Sequence, residues 1–239
     1  MTLRAALSSA DAKAPYVRRL FHIIAGRYDL ITRLLSFGRD RRWKATLVNL
    51  ADVRPGCAAL DLAAGTGDIA FGLAARGARV TALDITHRML QLAALKRPVG
   101  ARVTFVTGDM MALPFPDRSF DLVTTGYGIR NVPAIDPALA EIGRVLRPGG
   151  VLLSLDFDRP RNVVVRAVYL AYLTVVGSAL GWALHRDPDT YRYIAESIRR
   201  YPGAADVAAR LGRMGFDGSR VVPLLGGLMA MNVARRRLG

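Results

Sequence analysis

Short apolar runs alternate with helix-length amphipathic stretches through the middle of the chain. Residues 58–62, 79–85, 103–107, 120–125 and 151–157 read as strands, and 68–76, 86–96 and 136–146 as helices. The last helix is expected to start on Asp136 as N-cap with Pro137 at its first position. Arg147-Pro148-Gly149-Gly150 then stops it before the next strand. Strands apolar along their whole length and separated by helices predict a mostly parallel sheet covered on both faces, a doubly wound α/β domain. Upstream, 16–50 mixes helical periodicity with basic residues and ends at the turn Asp52-Val53-Arg54-Pro55-Gly56, while 1–14 reads as a frayed arm. Downstream, 204–214 reads as helix and 219–223 and 227–234 as strands. The expected division is an arm with helices over 1–50, the α/β core over 51–158, a helical cap over 159–202, and a helix with strands completing the core over 203–239.

The stretch 167–184 holds 18 residues without a charge, bracketed by Arg166 and His185. That approaches the roughly 20 residues of a membrane span, although Tyr, Thr, Ser and Gly dilute it. Three readings stay open: a span, a buried core helix, or a cap helix that lines an apolar pocket or rests on a bilayer.

In a chain of 239 residues, 51% hydrophobic and 22% charged composition excludes a disordered tail protein. Cys57 is the only cysteine, so no intrachain disulfide forms. His22, His87 and His185 lack metal-ligand spacing, and no metal is expected. The start of the chain has no apolar stretch of signal-peptide length, which predicts a cytoplasmic location. Lys+Arg 34 against Asp+Glu 19 gives a net charge of +15. Such a surface suits anionic partners such as phospholipid or nucleic acid, or is simply solvated.

Chemistry concentrates after the first predicted strand, in Asp61-Leu62-Ala63-Ala64-Gly65-Thr66-Gly67-Asp68. Gly65, Thr66 and Gly67 form a loop opening a helix, and Asp84 ends the second strand, where it suits ribose hydroxyls. That pattern alone also fits a dinucleotide. However, a pyrophosphate prefers bare N–H groups, and Asp61 and Asp68 flank this loop. S-adenosylmethionine carries an ammonium and a sulfonium and suits the acidic flanks better. Asp109 is placed to accept the adenine amino group, Met110 to pack on the ring, and Gly126 to admit the methionine portion.

Several motifs carry a resemblance. The glycine loop, Asp84, Leu113-Pro114-Phe115-Pro116-Asp117 and Arg144-Val145-Leu146-Arg147-Pro148-Gly149-Gly150 are similar to class I S-adenosylmethionine-dependent methyltransferases. Phe21-His22 with Tyr28-Asp29, the run from Ser36 to Lys44, Tyr127-Gly128-Ile129-Arg130-Asn131-Val132 and Tyr191-Arg192-Tyr193-Ile194 resemble the ubiquinone/menaquinone biosynthesis C-methyltransferase family. The resemblance implies a Rossmann-like seven-stranded sheet and methylation of a ring carbon on a polyprenylated quinol. Departures at Ile31, Thr32 and Asp40 fall in the substrate-facing N-terminal region and bear on which acceptor is used.

The implied catalytic groups are Arg130, stabilising a phenolate, Asn131, orienting the hydroxyl, and either Tyr28 or a bound water, relaying the proton. Arg130 paired with Asp121 or Asp156 is the structural alternative. Trp43, Tyr127, Tyr191 and Arg192 are the expected substrate contacts. Arg39, Arg41, Arg42 and Lys44 around Trp43 suggest a seat on an anionic membrane. The competing readings are a small-molecule O- or N-methyltransferase, a nucleic-acid methylase and a non-catalytic cofactor-binding subunit. Nucleic acid is not expected as partner, because no Asn/Asp-Pro-Pro-aromatic tetrapeptide follows the fourth strand; a homodimer stays open.

Overall fold

The structure, a computed structural model, describes residues 3, 7, 9–160 and 162–238. Three helices lead: α1 (Ala10–Ile24), α2 (Tyr28–Leu35) and α3 (Asp40–Leu50). The core follows as β1 (Ala58–Leu62), α4 (Asp68–Ala74), β2 (Arg79–Asp84), α5 (His87–Lys96), β3 (Val103–Thr107), β4 (Phe120–Gly126), α6 (Ile135–Val145) and β5 (Leu146–Phe157). Helices α7 (Val163–His185) and α8 (Asp189–Arg200) then lead into α9 (Ala204–Arg213), β6 (Phe216–Leu224) and β7 (Met229–Arg236).

The seven strands lie in the order β3-β2-β1-β4-β5-β7-β6. Pairs among β1 to β5 are parallel, whereas β7 runs antiparallel to both β5 and β6. Strands buried on both faces explain the unbroken apolar runs: Leu60 and Leu62 join one core cluster with α6, and Ala59, Val80 and Leu153 join another with α3 and α4. Helix α6 buries Ala138, Leu139, Ile142 and Val145, one stripe at helical spacing. Asp136 is not its N-cap. The N-cap lies two residues earlier, at Ala134, and Asp136 sits in the first turn paired with Arg210 at 2.7 Å.

The expected frayed arm is corrected where it is described. Leu3 and Leu7 are buried with α1, and Ser9 caps α1 by accepting the Ala12 N–H; residues 1, 2, 4–6 and 8 lie outside the described residues.

The apolar segment forms α7, among the described residues the one helix long and apolar enough to cross a membrane. It is not a core helix. Leu173, Gly177 and Gly181 are buried, while Val163, Val164, Val168, Val175 and Trp182 are exposed. Its glycines let α7 press onto the backbone of α8 and the turn before it. A Cβ at Gly181 would meet the Asp187 carbonyl oxygen at 2.5 Å, and one at Gly177 the Tyr191 carbonyl oxygen at 3.0 Å. Gly181→Leu is therefore expected to cost about 1–3 kcal/mol, read as a lower urea midpoint.

Candidate active site

The strand order reverses between β1 and β4, and cavities open at the carboxyl ends there. One is a narrow cleft of about 80 Å³. The β1 loop contributes Gly65, the end of β2 Asp84, the loop after β3 Asp109 and Met110, and the end of β4 Gly126, as expected from sequence. Helix α1 closes it with Ala14, Val17 and Phe21.

Asp84 is buried, its two oxygens accepting the N–H groups of Gly65 (2.9 Å) and Thr86 (2.8 Å). Each oxygen has a second lone pair to offer. Burial raises its pKa despite those bonds. Asp109 accepts the Met111 N–H through Oδ1 at 2.8 Å.

Asp61 lines a void of about 20 Å³ beside the cleft, with Lys44, Gly65, Thr66 and Gly126. Its Oδ1 accepts the Thr124 hydroxyl at 2.8 Å, while the buried Oδ2 has no hydrogen-bond partner among the described residues. Burial pushes its pKa up to about 7, against the Thr124 hydrogen bond. A buried carboxylate oxygen without a partner is costly, and an ammonium placed against it would remove that cost. The site thus fits a cationic amino-acid group.

Three expectations at this loop are corrected. Asp68 spends its charge on Lys44 at 2.8 Å, so Asp61 alone retains the anionic character assigned to both. Thr66 donates its hydroxyl to Asp29 at 2.6 Å, which pins α2 to the loop. Gly67 lines neither main cavity; it starts α4 at φ 92°, where a Cβ would strike the Phe71 ring at 2.7 Å. Gly126 does line the cleft, but a Cβ there would meet Ile69 at 2.7 Å, so packing also demands the glycine.

The second cavity, about 530 Å³, lies among α1, α2, α3, α7 and α8. Its lining is apolar and aromatic, and Arg130 is its one charged residue among the described residues. Phe21, Tyr28 and Tyr127 line both cavities and form the wall between them. Burial raises the pKa of Tyr28, while the nearby charge of Lys44 pulls the other way. Trp43 and Tyr191 line this cavity as expected. The Tyr191 hydroxyl meets His185 Nε2 at 2.9 Å, and burial pushes its pKa up to about 12.

Arg130 pairs with Asp156, not Asp121, at 2.9 Å, both side chains 5% exposed. Asp121 instead holds Arg147. The guanidinium also donates to the Tyr127 carbonyl (3.0 Å) and to Ser197 Oγ (3.3 Å), and lies 4.7 Å from the Phe157 ring centre. Its Nη2 donates to no described residue, which leaves one face of the cation for a ligand.

Asn131 sits in the cleft rather than the large cavity. Its amide donates to the Tyr127 carbonyl at 2.7 Å and accepts the Tyr193 hydroxyl at 2.9 Å, so it fixes the turn and the cap instead of facing an acceptor hydroxyl. Arg192 lines neither cavity and pairs with Asp189 at 3.0 Å. Two members of the expected cationic seat are corrected: Trp43 is buried in the core and Lys44 is locked between Asp40 and Asp68, whereas Arg39, Arg41 and Arg42 are exposed.

Sequence reasoning missed the contribution of α1. Ala14, Val17 and Phe21 recur at helical spacing toward the cleft, a legible signal. Lys13 anchors that helix by donating to the carbonyls of Arg130 (3.0 Å) and Val132 (2.6 Å). Burial, with the charges of Arg130 and Arg200, pulls its pKa down to about 8.

Residues 9–236 match the profile of the ubiE/COQ5 methyltransferase family. The chain belongs to that family. This ubiE/COQ5 methyltransferase is 37% identical over 229 residues to the ubiquinone/menaquinone biosynthesis C-methyltransferase UbiE of Shewanella oneidensis, covering 93% of this chain and 91% of that one. It is 38% identical over 228 residues to the enzyme of the same name from Serratia proteamaculans, with the same coverage of each chain. Among solved structures, an S-adenosylmethionine-dependent methyltransferase from Thermotoga maritima superposes with TM-score 0.68 at 17% identity, over 92% of this chain and 100% of that one. The likeness shows the class I methyltransferase fold, and membership of the family makes the protein a methyltransferase.

The buried pair gives a prediction for this ubiE/COQ5 enzyme. Arg130→Met strands the Asp156 carboxylate and is expected to cost about 3–5 kcal/mol in urea unfolding. Adding Asp156→Leu is expected to return most of that stability; methyl transfer that stays lost in the stabilised double variant marks a role for Arg130 beyond the ion pair.

Proposed function

We propose that this enzyme methylates a ring carbon of a polyprenylated quinol, either demethylmenaquinol or a benzoquinol precursor of ubiquinone, in respiratory quinone biosynthesis. The observation that carries the reading is a large apolar cavity whose one cation among the described residues is Arg130, and which shares the wall of Phe21, Tyr28 and Tyr127 with the cofactor cleft. An apolar cavity suits a prenylated ring, and one guanidinium suits one phenolate. The names of the curated relatives support the same acceptor class.

S-adenosylmethionine supplies an electrophilic methyl group when bound. Gly65, Asp84, Asp109, Met110 and Gly126 would hold its adenosine and methionine portions, and Asp61 its ammonium. The other steps fall to residues around the acceptor. A phenol ionises near pH 10, and an aryl carbon attacks well only when the oxygen beside it carries charge. Arg130 lowers that demand by electrostatic attraction, with Asp156 holding it in place. It stays protonated and is no base. Tyr28 stands in the wall, lining both cavities, where it holds the acceptor against the cofactor cleft. Trp43, Tyr127 and Tyr191 exclude water and align the ring.

Phe37, Val164 and Val168 line the cavity and are also exposed, and Phe37 stacks on Tyr172 at 5.7 Å between ring centres. This apolar rim continues along α7, and Arg33, Arg39, Arg41 and Arg42 are exposed nearby in sequence to Phe37. We assign the rim to the inner face of the cytoplasmic membrane, where a cytoplasmic enzyme meets a lipid-dissolved quinol, and the positive charge to anionic lipid rather than nucleic acid.

Three outcomes are expected. Methyl transfer goes to the ring carbon of a short-chain demethylquinol and not to a panel of phenols and amines; products methylated only on oxygen overturn the proposal. Anionic vesicles sediment the enzyme, and Phe37→Asp with Val168→Asp lowers the bound fraction at least fivefold. Donor affinity, measured by calorimetry, rises about tenfold per pH unit below 7 and levels off above it. The sign follows from Asp61, whose pKa is raised: its neutral form dominates below 7 and offers no anion to the ammonium, and Asp61→Asn abolishes the slope.

A further inference from the structure

Asp40 opens α3 and is 6% exposed. Its Oδ1 accepts the Tyr127 hydroxyl at 2.7 Å, and its Oδ2 pairs with Lys44 Nζ at 2.7 Å. Lys44 also holds the half-exposed Asp68 at 2.8 Å. Tyr127 lines the acceptor cavity. Asp40 lines a different void, polar and about 50 Å³, with Asp29, Arg33, Arg41 and Asp68. No residue of that void lines the acceptor cavity. The Tyr127–Asp40 hydrogen bond therefore links a residue lining the apolar cavity to one lining the polar void.

We propose that Asp40, acting through the Tyr127 hydroxyl, receives the proton that the acceptor's phenol gives up and passes it to water in the polar void. The inference rests on the quinol reading above. The phenolic proton moves to the Tyr127 oxygen as Tyr127 yields its own to Asp40 Oδ1. The ring carbon then bonds to the methyl carbon, and the electron pair of the broken C–S bond stays on sulfur. The proton on that ring carbon then passes to the ring oxygen as the dienone tautomerises to the phenol, which restores aromaticity, so the one proton released per methyl group is the original phenolic proton, delivered to the void. The charged and titratable groups facing Asp40 are Lys44 and Arg41 on its own helix, Tyr28, Asp29 and Arg33 on α2, Asp68 on α4, and Tyr127 after β4. Asp40 touches no acceptor atom and has the role of a positioning residue and proton station.

The test compares Asp40→Asn and Tyr127→Phe with the wild-type full-length chain, on a short-chain demethylquinol. Tyr127→Phe leaves the Asp40–Lys44 pair in place and cuts only the link. Both variants are expected to lose about 100-fold in kcat, with acceptor KM and calorimetric donor affinity within threefold of wild type. Raising the pH toward that of free phenol ionisation is expected to shrink the deficit to under tenfold. An acceptor carrying an electron-withdrawing ring substituent, already ionised at neutral pH, is expected to do the same. Variants within threefold of wild type overturn the inference. So does a deficit that is constant across pH and acceptors, which marks a structural role. A wild-type enzyme inactive on every quinol overturns the proposed acceptor, and the inference falls with it by a distinguishable result.

Discussion

The buried ion pair between Arg130 and Asp156 is the joint on which the active site depends. Asp156 lies near the end of β5, and Arg130 lies in the turn that leaves β4. Tyr127, at the start of that turn, takes a left-handed φ of 61°, a conformation costly for a bulky residue. Its carbonyl is held by the side chains of both Arg130 and Asn131, which explains how the strain persists. The same guanidinium reaches Ser197 on α8, and Asn131 accepts Tyr193 on the same helix. One ion pair thus gathers two strand ends, a strained turn and the cap.

A charge buried this deeply is a poor source of stability, since desolvation offsets most of the attraction. Its retention makes sense where a fixed cation is wanted in a dry cavity. The structural reading of Arg130 as an ion-pair partner and the catalytic reading as a phenolate stabiliser are therefore not rivals. Asp156 occupies one edge of the fork, and an unbonded nitrogen remains on the other.

The core was legible because its physics is local and repetitive. Strands buried on both faces must be apolar along most of their length, and 58–62 matches β1 residue for residue; 103–107 also matches β3, although as an edge strand it buries only Val103. The cleft was legible for a related reason: Asp84 and Asp109 follow directly from strand ends, where topology dictates what a ligand meets. The second cavity was harder, because its walls come from five helices whose mutual placement no periodicity encodes. Trp43 looked like a surface anchor among cations, yet its helix turns it inward and turns Arg41 and Arg42 out. Arg192 stands next to the cavity-lining Tyr191 in sequence, but a helix sends neighbours about 100° apart. Asp68 looked like part of the cofactor's electrostatics only until Lys44, 24 residues away, claimed it.

The glycine-mediated contact between α7 and α8 has a cost beyond packing. By spending its small residues on the inner seam, α7 is left with valines and a tryptophan facing outward, the tryptophan flanked by Arg186. An exposed apolar face is a liability for solubility in plain buffer, which the strongly basic remainder of the surface opposes by mutual repulsion.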